Sequence, residues 1–587
     1  MISKMKRYRL SYIALAAWAV ISFGCTSIED YPDGRLEFDQ IFENQKLLGG
    51  YLNSCYGAIG NNMGNNYTDN TFLASASDEA HDVGDVTNGV MSQWCNGFVS
   101  AFSNPLGTPE KWDYYEPIRK CNIIIARIAT ANMHLEDQRE SYKGEAHGLR
   151  AFYYLQMIKN YGGVPIILDD PSAEGYDFSK LRRATFSECA RQIISDCRIS
   201  MENKTLGWHS GSSDSYRFRW SKAMSAAIMS QAALYAASPL NNDGTLDWDE
   251  AAQITKEALD LCLANGYSLY KAVPSGGFAS LAYTPYDMYF MTAADVRGVE
   301  DPETIMTGRN KLTVWEHCGL PVTEGQVRAG SCPSQELVDS YETIDGEMPI
   351  LGYEDEDHLR PIINPKAVLY DENNPFANRD PRLKASIYYN GAPFQVGGDT
   401  YVWTFEGGNC ALSSTNRRNT RTGYYMRKFG NPTSNRANGN NDGYFRIFRL
   451  AELYLNYAEA LNEAEASDIA PDAAVDAVNA VRDRVGMPDI PYGLAKDEFR
   501  KRLRNERRVE FAFEEQRFYD VRRWKILHET DRIVTGMRVT DEGKYERFVV
   551  SRRNAYTDKF LRFPIPGEEA IRLQVHTGLN FQNPGWE

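Results

Sequence analysis

The segment that most constrains the fold runs from Arg449 to Glu463, in the last third of the chain, and contains neither Gly nor Pro. Its larger apolar residues recur at helical spacing: Leu450, Leu453, Tyr454, Tyr457, Ala458 and Leu461. A second apolar edge consists of the smaller residues Ala451, Leu455 and Ala458, so neighbours can approach closely on two sides. The sequence therefore predicts an interior helix of a helical protein.

Two further helical segments follow this one. A second helix is predicted from Pro471, a residue that suits the first turn, to a stop at Gly486. The short link between the two helices predicts an antiparallel hairpin. A third segment, residues 498–524, interleaves acids and bases at helical spacing around apolar positions such as Leu503 and Val509. Such interleaving predicts a helix with a salt-bridged face.

The order of these three segments resembles the C-terminal core of the SusD/RagB family of outer-membrane nutrient-binding lipoproteins. The tail is similar to the family's closing motif, with Phe-Pro-Ile-Pro-Gly at Phe563–Gly567 and Asn-Phe-Gln-Asn-Pro-Gly-Trp at Asn580–Trp586. Arg150–Leu155, Tyr161–Pro165 and Gly266–Tyr270 resemble pieces of the family's N-terminal half. The resemblance therefore covers most of the chain.

The remaining chain divides by its regularity. Helical patterns with small residues at contact positions, such as Ala226 and Ala233, continue to about Ala264 and predict closely stacked pairs of tetratricopeptide size. From Lys271 to about Phe445, Gly, Pro, Asn and Tyr dominate. We expect a mainly α fold, in which tetratricopeptide-like stacked helical hairpins form a scaffold and a loop-rich lobe carries short β strands. Four parts are predicted: a lipoprotein signal peptide (1–24), an N-terminal SusD-like helical half (25–270), a loop-rich ligand-facing lobe (271–445), and a C-terminal RagB/SusD helical core with the closing motif (446–587).

The first residues predict the compartment. Basic residues within 4–9 precede an apolar run over 12–23, and Ser-Phe-Gly-Cys at 22–25 forms a lipobox-like site, although Leu is commoner than Ser at its first position. The apolar run is too short to be a permanent membrane span. We expect Cys25 to be lipidated. The acidic residues 29–30 resemble the signal that sends such lipoproteins to the outer face of the outer membrane.

The other nine cysteines are scattered and form no CxxC pair. Cys189 and Cys197 fall about two turns apart on a predicted helix, too far for a disulfide. Cys318 and Cys332 flank a loop and could bridge. Scattered thiols are mainly typical of buried small apolar side chains, with at most one or two disulfides.

Several function classes lack support in the sequence. The formal net charge of −15 opposes nucleic acid as a partner. No HExxH, GxxxxGK[ST], GxGxxG or GxSxG motif is present, and the acidic run Glu354–Asp357 lacks the spacing of a calcium loop, which favours a solvated charge run. The adjacent pair Asp78 and Glu79 favours a hydrogen-bonding role over catalysis, because neighbouring side chains on a strand or loop point apart. We therefore predict no cofactor, no metal and no enzymatic activity.

A glycan site needs aromatic faces that stack on sugar rings, beside polar groups that bind hydroxyls. Trp94 and Trp315 lie in segments that, by resemblance, border the family's ligand platform. Tyr286 and Tyr289 recur at a spacing of three, and Trp403 alternates with aromatic neighbours. For each aromatic residue a place in the core stays open as the alternative. The candidate ligand-binding residues are Asp78, Trp94, Tyr286, Tyr289, Trp315 and Trp403.

The resemblance implies a lipid-anchored glycan-binding protein on the cell exterior. Such a protein captures an oligosaccharide or polysaccharide and delivers it to a partner, a SusC-like TonB-dependent outer-membrane transporter. Two alternatives stay open: a peptide-binding member of the same family, and a surface glycosidase with its carboxylates in the loop-rich lobe.

Overall fold

The computed structural model describes residues 38–59, 71–84, 89–106, 112–170, 176–210, 218–272, 283–291, 301–394 and 400–587. The predicted signal peptide and the lipidation site at Cys25 lie outside these residues. Within the described chain the fold is mainly helical, and its short strands form two-stranded antiparallel pairs. The predicted fold class, a helical scaffold with short strands in its loops, is therefore confirmed.

The helices are numbered here in chain order. Those of the N-terminal half are α1 (Phe38–Glu43), α2 (Gln45–Cys55), α3 (Val90–Cys95), α4 (Tyr115–Arg127), α5 (Glu136–Tyr161), α6 (Phe186–Glu202), α7 (Lys222–Ala237) and α8 (Trp248–Ala264). The lobe carries α9 (Pro285–Met291), α10 (Val314–His317), α11 (Gln335–Asp339) and α12 (Pro381–Ser386). The C-terminal part carries α13 (Leu450–Ala464), α14 (Asp472–Arg484), α15 (Lys496–Glu510), α16 (Gln516–Arg523), α17 (Leu527–Thr530) and α18 (Gly567–Thr577).

The strands form six antiparallel pairs among the described residues. They are β1 (Ala80–Asp82) with β3 (Ser331–Pro333), β2 (Thr304–Lys311) with β10 (Tyr444–Arg449), β4 (Ile350–Tyr353) with β5 (Pro361–Ile363), β6 (Ile387–Tyr388) with β9 (Tyr425–Met426), β7 (Ala392–Pro393) with β8 (Tyr401–Val402), and β11 (Ile533–Val539) with β12 (Tyr545–Arg552).

The helices from α4 to α8 stack in chain order, each against its neighbour in the chain. Helix α8 then packs against α13, and α13 contacts α14 and α15. Every residue of α7 after Lys222 is buried, including a run of alanines that lets both neighbours approach closely. A helix that is apolar on all sides belongs in an interior. The stack therefore joins the N-terminal half directly to the C-terminal core.

Helix α13 confirms the interior helix predicted from Arg449 to Glu463. Leu453 and Leu455 are fully buried, and the helix lies between α8 and α14. The apolar pattern did not reveal that a polar edge is buried as well. Glu459 on this edge accepts hydrogen bonds from the Arg523 guanidinium (2.5 and 2.6 Å) and from the Trp524 indole N–H (2.6 Å). Burial of a carboxylate is tolerated here because charged donors surround it.

The third segment forms an ion pair along its partly exposed face, as predicted, and it also forms buried ion pairs with arginines of other segments. Glu510 of α15 contacts Arg449 (2.7 Å), Arg382 (2.9 Å) and Arg484. Burial alone would raise the pKa of Glu510, yet Arg484, Arg449 and Arg382 hold it well below its usual range. Arg382 belongs to α12 of the lobe, so this cluster ties the lobe to the helical scaffold. The segment itself is two helices, because Phe513 and Glu515 adopt positive φ angles between them.

The nine cysteines from Cys55 to Cys410 are all free and buried. Cys318 and Cys332, which the sequence allowed to bridge, remain separate thiols. The interpretation of these residues as small apolar side chains of the interior is confirmed.

The lobe has a small core of its own beside the main one. Its members are Val83, Leu320, Ala329, Cys332, Tyr388, Ala392, Val402, Cys410 and Tyr425. Five of the short strands, β3, β6, β7, β8 and β9, contribute to it. The four-part division of the chain stays a prediction.

Candidate functional site

Three aromatic side chains stand on one face of the segment 401–405. Tyr401, Trp403 and Phe405 are 43, 39 and 37% exposed, whereas the intervening Val402 and Thr404 are buried. This alternation follows the two-residue period of an extended strand. The ring centroids of Tyr401 and Trp403 are 5.9 Å apart, and those of Trp403 and Phe405 are also 5.9 Å apart. We call these three residues the aromatic ladder.

The backbone under the ladder is held by two asparagine side chains. Asn409 accepts a hydrogen bond from the Trp403 N–H and donates one to the Tyr401 carbonyl oxygen, both at 2.9 Å. Asn390 accepts from the Thr404 N–H at 3.0 Å. These bonds fix the strand on which the rings stand, so little ordering is left for a ligand to induce.

An exposed run of aromatic rings needs an explanation, because single exposed apolar residues are common but contiguous ones mark interaction sites. Trp and Tyr combine a flat apolar face with a polar edge. The ladder can therefore receive the C–H face of a sugar ring while the ring's hydroxyls stay in contact with water or polar side chains. The prediction that Trp403 contacts ligand is compatible with this exposure and stays a prediction.

Trp315 is a half-buried residue of α10. It lies beside Leu320 and Tyr388, which belong to the small core of the lobe. Its backbone N–H donates to Asp442 Oδ2 at 2.9 Å, and its indole Nε1 is buried without an acceptor among the described residues. Burial raises the pKa of Asp442 to about 7, although backbone donors such as Asn431 N–H oppose the rise. The cavity beside Trp315 measures about 30 Å³ and is also lined by Tyr388 and Phe394. This volume suits one water molecule rather than a sugar.

Trp94 lies in the core and not on a ligand surface. Its side chain is fully buried, and its ring centroid lies 4.9 Å from Phe563, 5.5 Å from Phe560 and 6.1 Å from Phe518. The polar segment around it folds into α3, which presents the indole to the closing motif at Phe563. A ring without an exposed face cannot stack on a sugar, so this expectation is corrected.

Tyr286 and Tyr289 are also interior residues. Their spacing places them on one face of α9, and that face packs inward. The Tyr286 hydroxyl donates to the Glu510 carbonyl oxygen and accepts from the Lys428 ammonium, both at 2.9 Å, and the Tyr289 hydroxyl pairs with Thr304 at 2.7 Å. Their polar groups are thus committed to the scaffold, which corrects their assignment to the ligand site.

Asp78 is engaged by arginines rather than available to a ligand. Arg517 holds its two carboxylate oxygens at 2.9 and 2.8 Å, and Arg508 lies at 2.9 Å. Burial alone would raise the pKa of Asp78, but Arg508 and Arg517 hold it well below its usual range. Asp78 is only 3% exposed, so its predicted contact with ligand is corrected.

The neighbouring Glu79 has the opposite character. Burial first, and the charge of Asp78 second, raise the pKa of Glu79 to about 8. Neither of its carboxyl oxygens has a hydrogen-bond partner among the described residues. Paired carboxyls with pKa values pushed apart are typical of general acid–base sites. Both side chains are sealed in the interior, however, so no substrate reaches them.

A second surface feature was missed by the sequence analysis. An open groove of about 870 Å³ lies between β1, the loop 412–421 and β12. We call it the arginine groove, because Arg328, Arg417 and Arg421 line it. In the sequence these residues lie in separate segments, and the loop Ser-Ser-Thr-Asn-Arg-Arg-Asn-Thr-Arg over 413–421 was the available signal.

The described ranges hold neither a metal-binding cluster nor a membrane-spanning helix. These residues contain no group of three or more His, Cys, Asp or Glu side chains placed to hold a metal ion. No helix among them is both long and apolar enough to cross a membrane.

Known proteins resemble this chain along most of its length. The model of the SusD family matches residues 294–586, and a model described as "Starch-binding associating with outer membrane" matches residues 29–234. SusD-like protein P2 of Formosa agariphila is 23% identical over 598 residues, covering 99% of this chain and all of the relative. A SusD-like protein of Bacteroides fragilis is 27% identical with a TM-score of 0.73, and the match covers 94% of this chain and 98% of that one. A SusD-like carbohydrate-binding protein of the same species shares the fold, with 20% identity, a TM-score of 0.69, and 92% and 99% coverage.

Proposed function

The chain belongs to the SusD family, and from that premise we propose that it is a cell-surface glycan-binding protein that captures oligosaccharides on the aromatic ladder. The exposure of Tyr401, Trp403 and Phe405 on a fixed strand carries the proposal. Successive rings 5.9 Å apart can contact successive sugars of an extended chain.

The expected affinity is modest. Each stacked ring contributes about 0.5–1.5 kcal/mol beyond the area it buries. Hydrogen bonds to sugar hydroxyls replace bonds to water and add about 1 kcal/mol each. After the entropic cost of association, such a surface supports micromolar to millimolar binding rather than nanomolar binding.

The proposed protein acts at the outer membrane and with a partner. A lipid on Cys25 would anchor it with the lobe toward the cell exterior, and the match to a starch-binding, outer-membrane-associated model supports this location. A SusC-like TonB-dependent transporter would then receive the captured oligosaccharide. The protein itself is non-catalytic in this proposal, and the neighbouring carboxyls of Asp78 and Glu79 are buried away from any ligand.

Isothermal titration of the purified protein tests the proposal. The panel contains malto-, laminari- and xylo-oligosaccharides, oligogalacturonate, sulfated carrageenan oligosaccharides, and unrelated peptides. We expect binding to at least one glycan and none to the peptides, with no release of reducing sugar on prolonged incubation. Binding to peptides alone would contradict the proposal, and steady release of reducing ends would assign the protein to the glycosidases.

A further inference from the structure

The segment that follows the aromatic ladder in the chain leads into the arginine groove. The chain leaves the ladder at Phe405, turns, and returns so that the N–H of Cys410 donates to the Trp403 carbonyl oxygen and the N–H of Leu412 to that of Thr404, both at 3.0 Å. Residues 412–415 then form a wall of the groove. The ladder and this wall of the groove therefore belong to one hydrogen-bonded stretch of backbone, residues 401–415.

The lining of the groove is unusual for this protein. It contains three arginines and no Asp or Glu among the described residues, although the chain as a whole carries a formal charge of −15. Hydroxyl groups add further donors: Ser92, Ser413, Ser414, Thr415 and Ser551. The groove is thus a local concentration of positive charge and hydrogen-bond donors on an acidic protein.

The three arginines of the groove differ in their partners. Arg328 pairs with Asp82 at 2.8 Å. Arg421 directs its guanidinium to backbone carbonyl oxygens, including that of Asn416 at 3.0 Å. In the described part of the chain neither Arg421 nor the exposed Arg417 forms a direct ion pair, although the Asp82 carboxylate acts electrostatically on Arg421. Among the described residues, two of the three arginines that line the groove therefore have no directly paired carboxylate.

A further guanidinium, that of Arg553, lies near the groove lining, and the buried carboxylates of Asp78 and Asp531 offset part of its charge. Arg553 donates to the carbonyl oxygens of Ser77 (2.5 Å) and Ala80 (2.7 Å). The effect of this charge reaches His81, which lines the groove. Burial first, and then Arg553 and Arg421, lower the pKa of His81 to about 3. The imidazole of His81 therefore stays neutral near pH 7.

We infer that the arginine groove binds the anionic substituents of a glycan, either uronate carboxylates or sulfate esters, while its sugar rings stack on the aromatic ladder. Guanidinium groups match the planar, bidentate geometry of such oxyanions, and hydroxyl donors complete their solvation. The inference rests on the proposed function and narrows its substrate class to acidic glycans. Short anionic substituents experience the local field of the groove, whereas a long polyanion would also meet the acidic remainder of the surface.

Titration of charge-reversed variants tests this inference. Oligogalacturonate supplies carboxylates, sulfated carrageenan oligosaccharides supply sulfates, and malto-oligosaccharides are the neutral probe. Arg417→Glu is compared with Arg418→Glu, because Arg418 is the adjacent exposed arginine, bonds to Gln326 at 3.0 Å and does not line the groove. Arg421→Lys keeps the positive charge but loses the planar guanidinium group that can donate two parallel hydrogen bonds. Circular dichroism and thermal midpoints verify that each variant folds.

We expect at least one anionic probe to bind more tightly than the neutral probe and to weaken as salt increases. Arg417→Glu should then reduce its affinity about tenfold or more, Arg421→Lys should reduce it by a smaller factor, and Arg418→Glu should change it less than twofold. Binding of neutral probes should be unchanged in all variants.

Other results overturn the inference in distinguishable ways. If neutral glycans bind as tightly as anionic ones and Arg417→Glu has no effect, the groove is not a subsite although the proposed function stands. Equal losses in Arg417→Glu and Arg418→Glu would show only non-specific attraction. Binding of the unrelated peptides without binding of any glycan would contradict both proposals.

Discussion

Substitution of Glu79 by Gln should stabilise the protein in a pH-dependent way. The Glu79 carboxyl is fully buried beside the ionised Asp78, which together raise its pKa from 4.5 to about 8. At neutral pH the folded protein must therefore hold a proton on Glu79 that the unfolded chain releases. Gln has the same shape and is neutral at every pH, so it removes this requirement.

The magnitude follows from proton linkage. A pKa difference costs about 1.4 kcal/mol for each pH unit between the unfolded pKa and the ambient pH. Between the ordinary pKa of 4.5 and pH 7, Glu79 therefore costs about 3 kcal/mol of the free energy of unfolding. The pKa of Glu79 is higher in the folded than in the unfolded protein. The contribution of the protonated carboxyl to stability is therefore fully present below pH 4.5 and is lost as the pH rises toward 8.

Denaturant unfolding of wild type and Glu79→Gln, followed by tryptophan fluorescence at pH 4.5, 7 and 8.5, measures the effect. We expect similar midpoints at pH 4.5, and at pH 7 a free energy of unfolding higher in the variant by about 3 kcal/mol. A constant difference at all three pH values, or a variant that is less stable at pH 7, would refute the reasoning. It would mean that Glu79 is ionised in the folded protein.

Three further predictions concern the packing of the core, its buried ion pairs and the lipid on Cys25. Trp94→Ala should lower the free energy of unfolding by about 3–5 kcal/mol through the cavity it leaves, with glycan affinity unchanged; calorimetry and titration check both, and lost affinity in a stable variant would return Trp94 to the ligand site. Arg449→Met should destabilise by about 3–5 kcal/mol, because Glu510 and Glu514 lose a buried partner, and an unchanged denaturation midpoint would contradict the ion-pair account. Cys25→Ala should abolish metabolic labelling by a palmitate analogue, and equal labelling of variant and wild type would rule out lipidation at this residue.

The scaffold was predictable because its signals are local. The helical spacing of apolar residues in Arg449–Glu463 and the helix stop at Gly486 can be recognised from residues close together in the sequence. The structure confirms helices over Leu450–Ala464 and Asp472–Arg484. Trp403 could likewise be placed beside two aromatic neighbours on one strand face, because strand alternation is local.

The site residues depended on contacts between distant segments. Trp94 lies in a polar stretch and looked exposed, but Phe563, near the C-terminus, covers it. Asp78 looked available until Arg508 and Arg517 were brought to it by the C-terminal helices. No local pattern reports such partners.

The arginine groove also depends on contacts between distant segments, but here the sequence analysis missed a surface instead of misplacing a residue. Arg328 is on a strand-entry loop, whereas Arg417 and Arg421 belong to an irregular loop after the aromatic ladder. Only the folded lobe combines them into one surface. The sequence showed the basic residues but not their common location.

Titration of Trp403→Ala with the tightest-binding glycan tests the central claim most directly. The matched control is Phe98→Ala, which removes an aromatic ring that is 66% exposed and lies outside the ladder. Loss of one stacking ring, worth about 1 kcal/mol or somewhat more, should weaken binding about tenfold. We expect this loss in Trp403→Ala, unchanged affinity in Phe98→Ala, and equal thermal midpoints in both. Full affinity in a folded Trp403→Ala protein would contradict capture of glycans by the aromatic ladder.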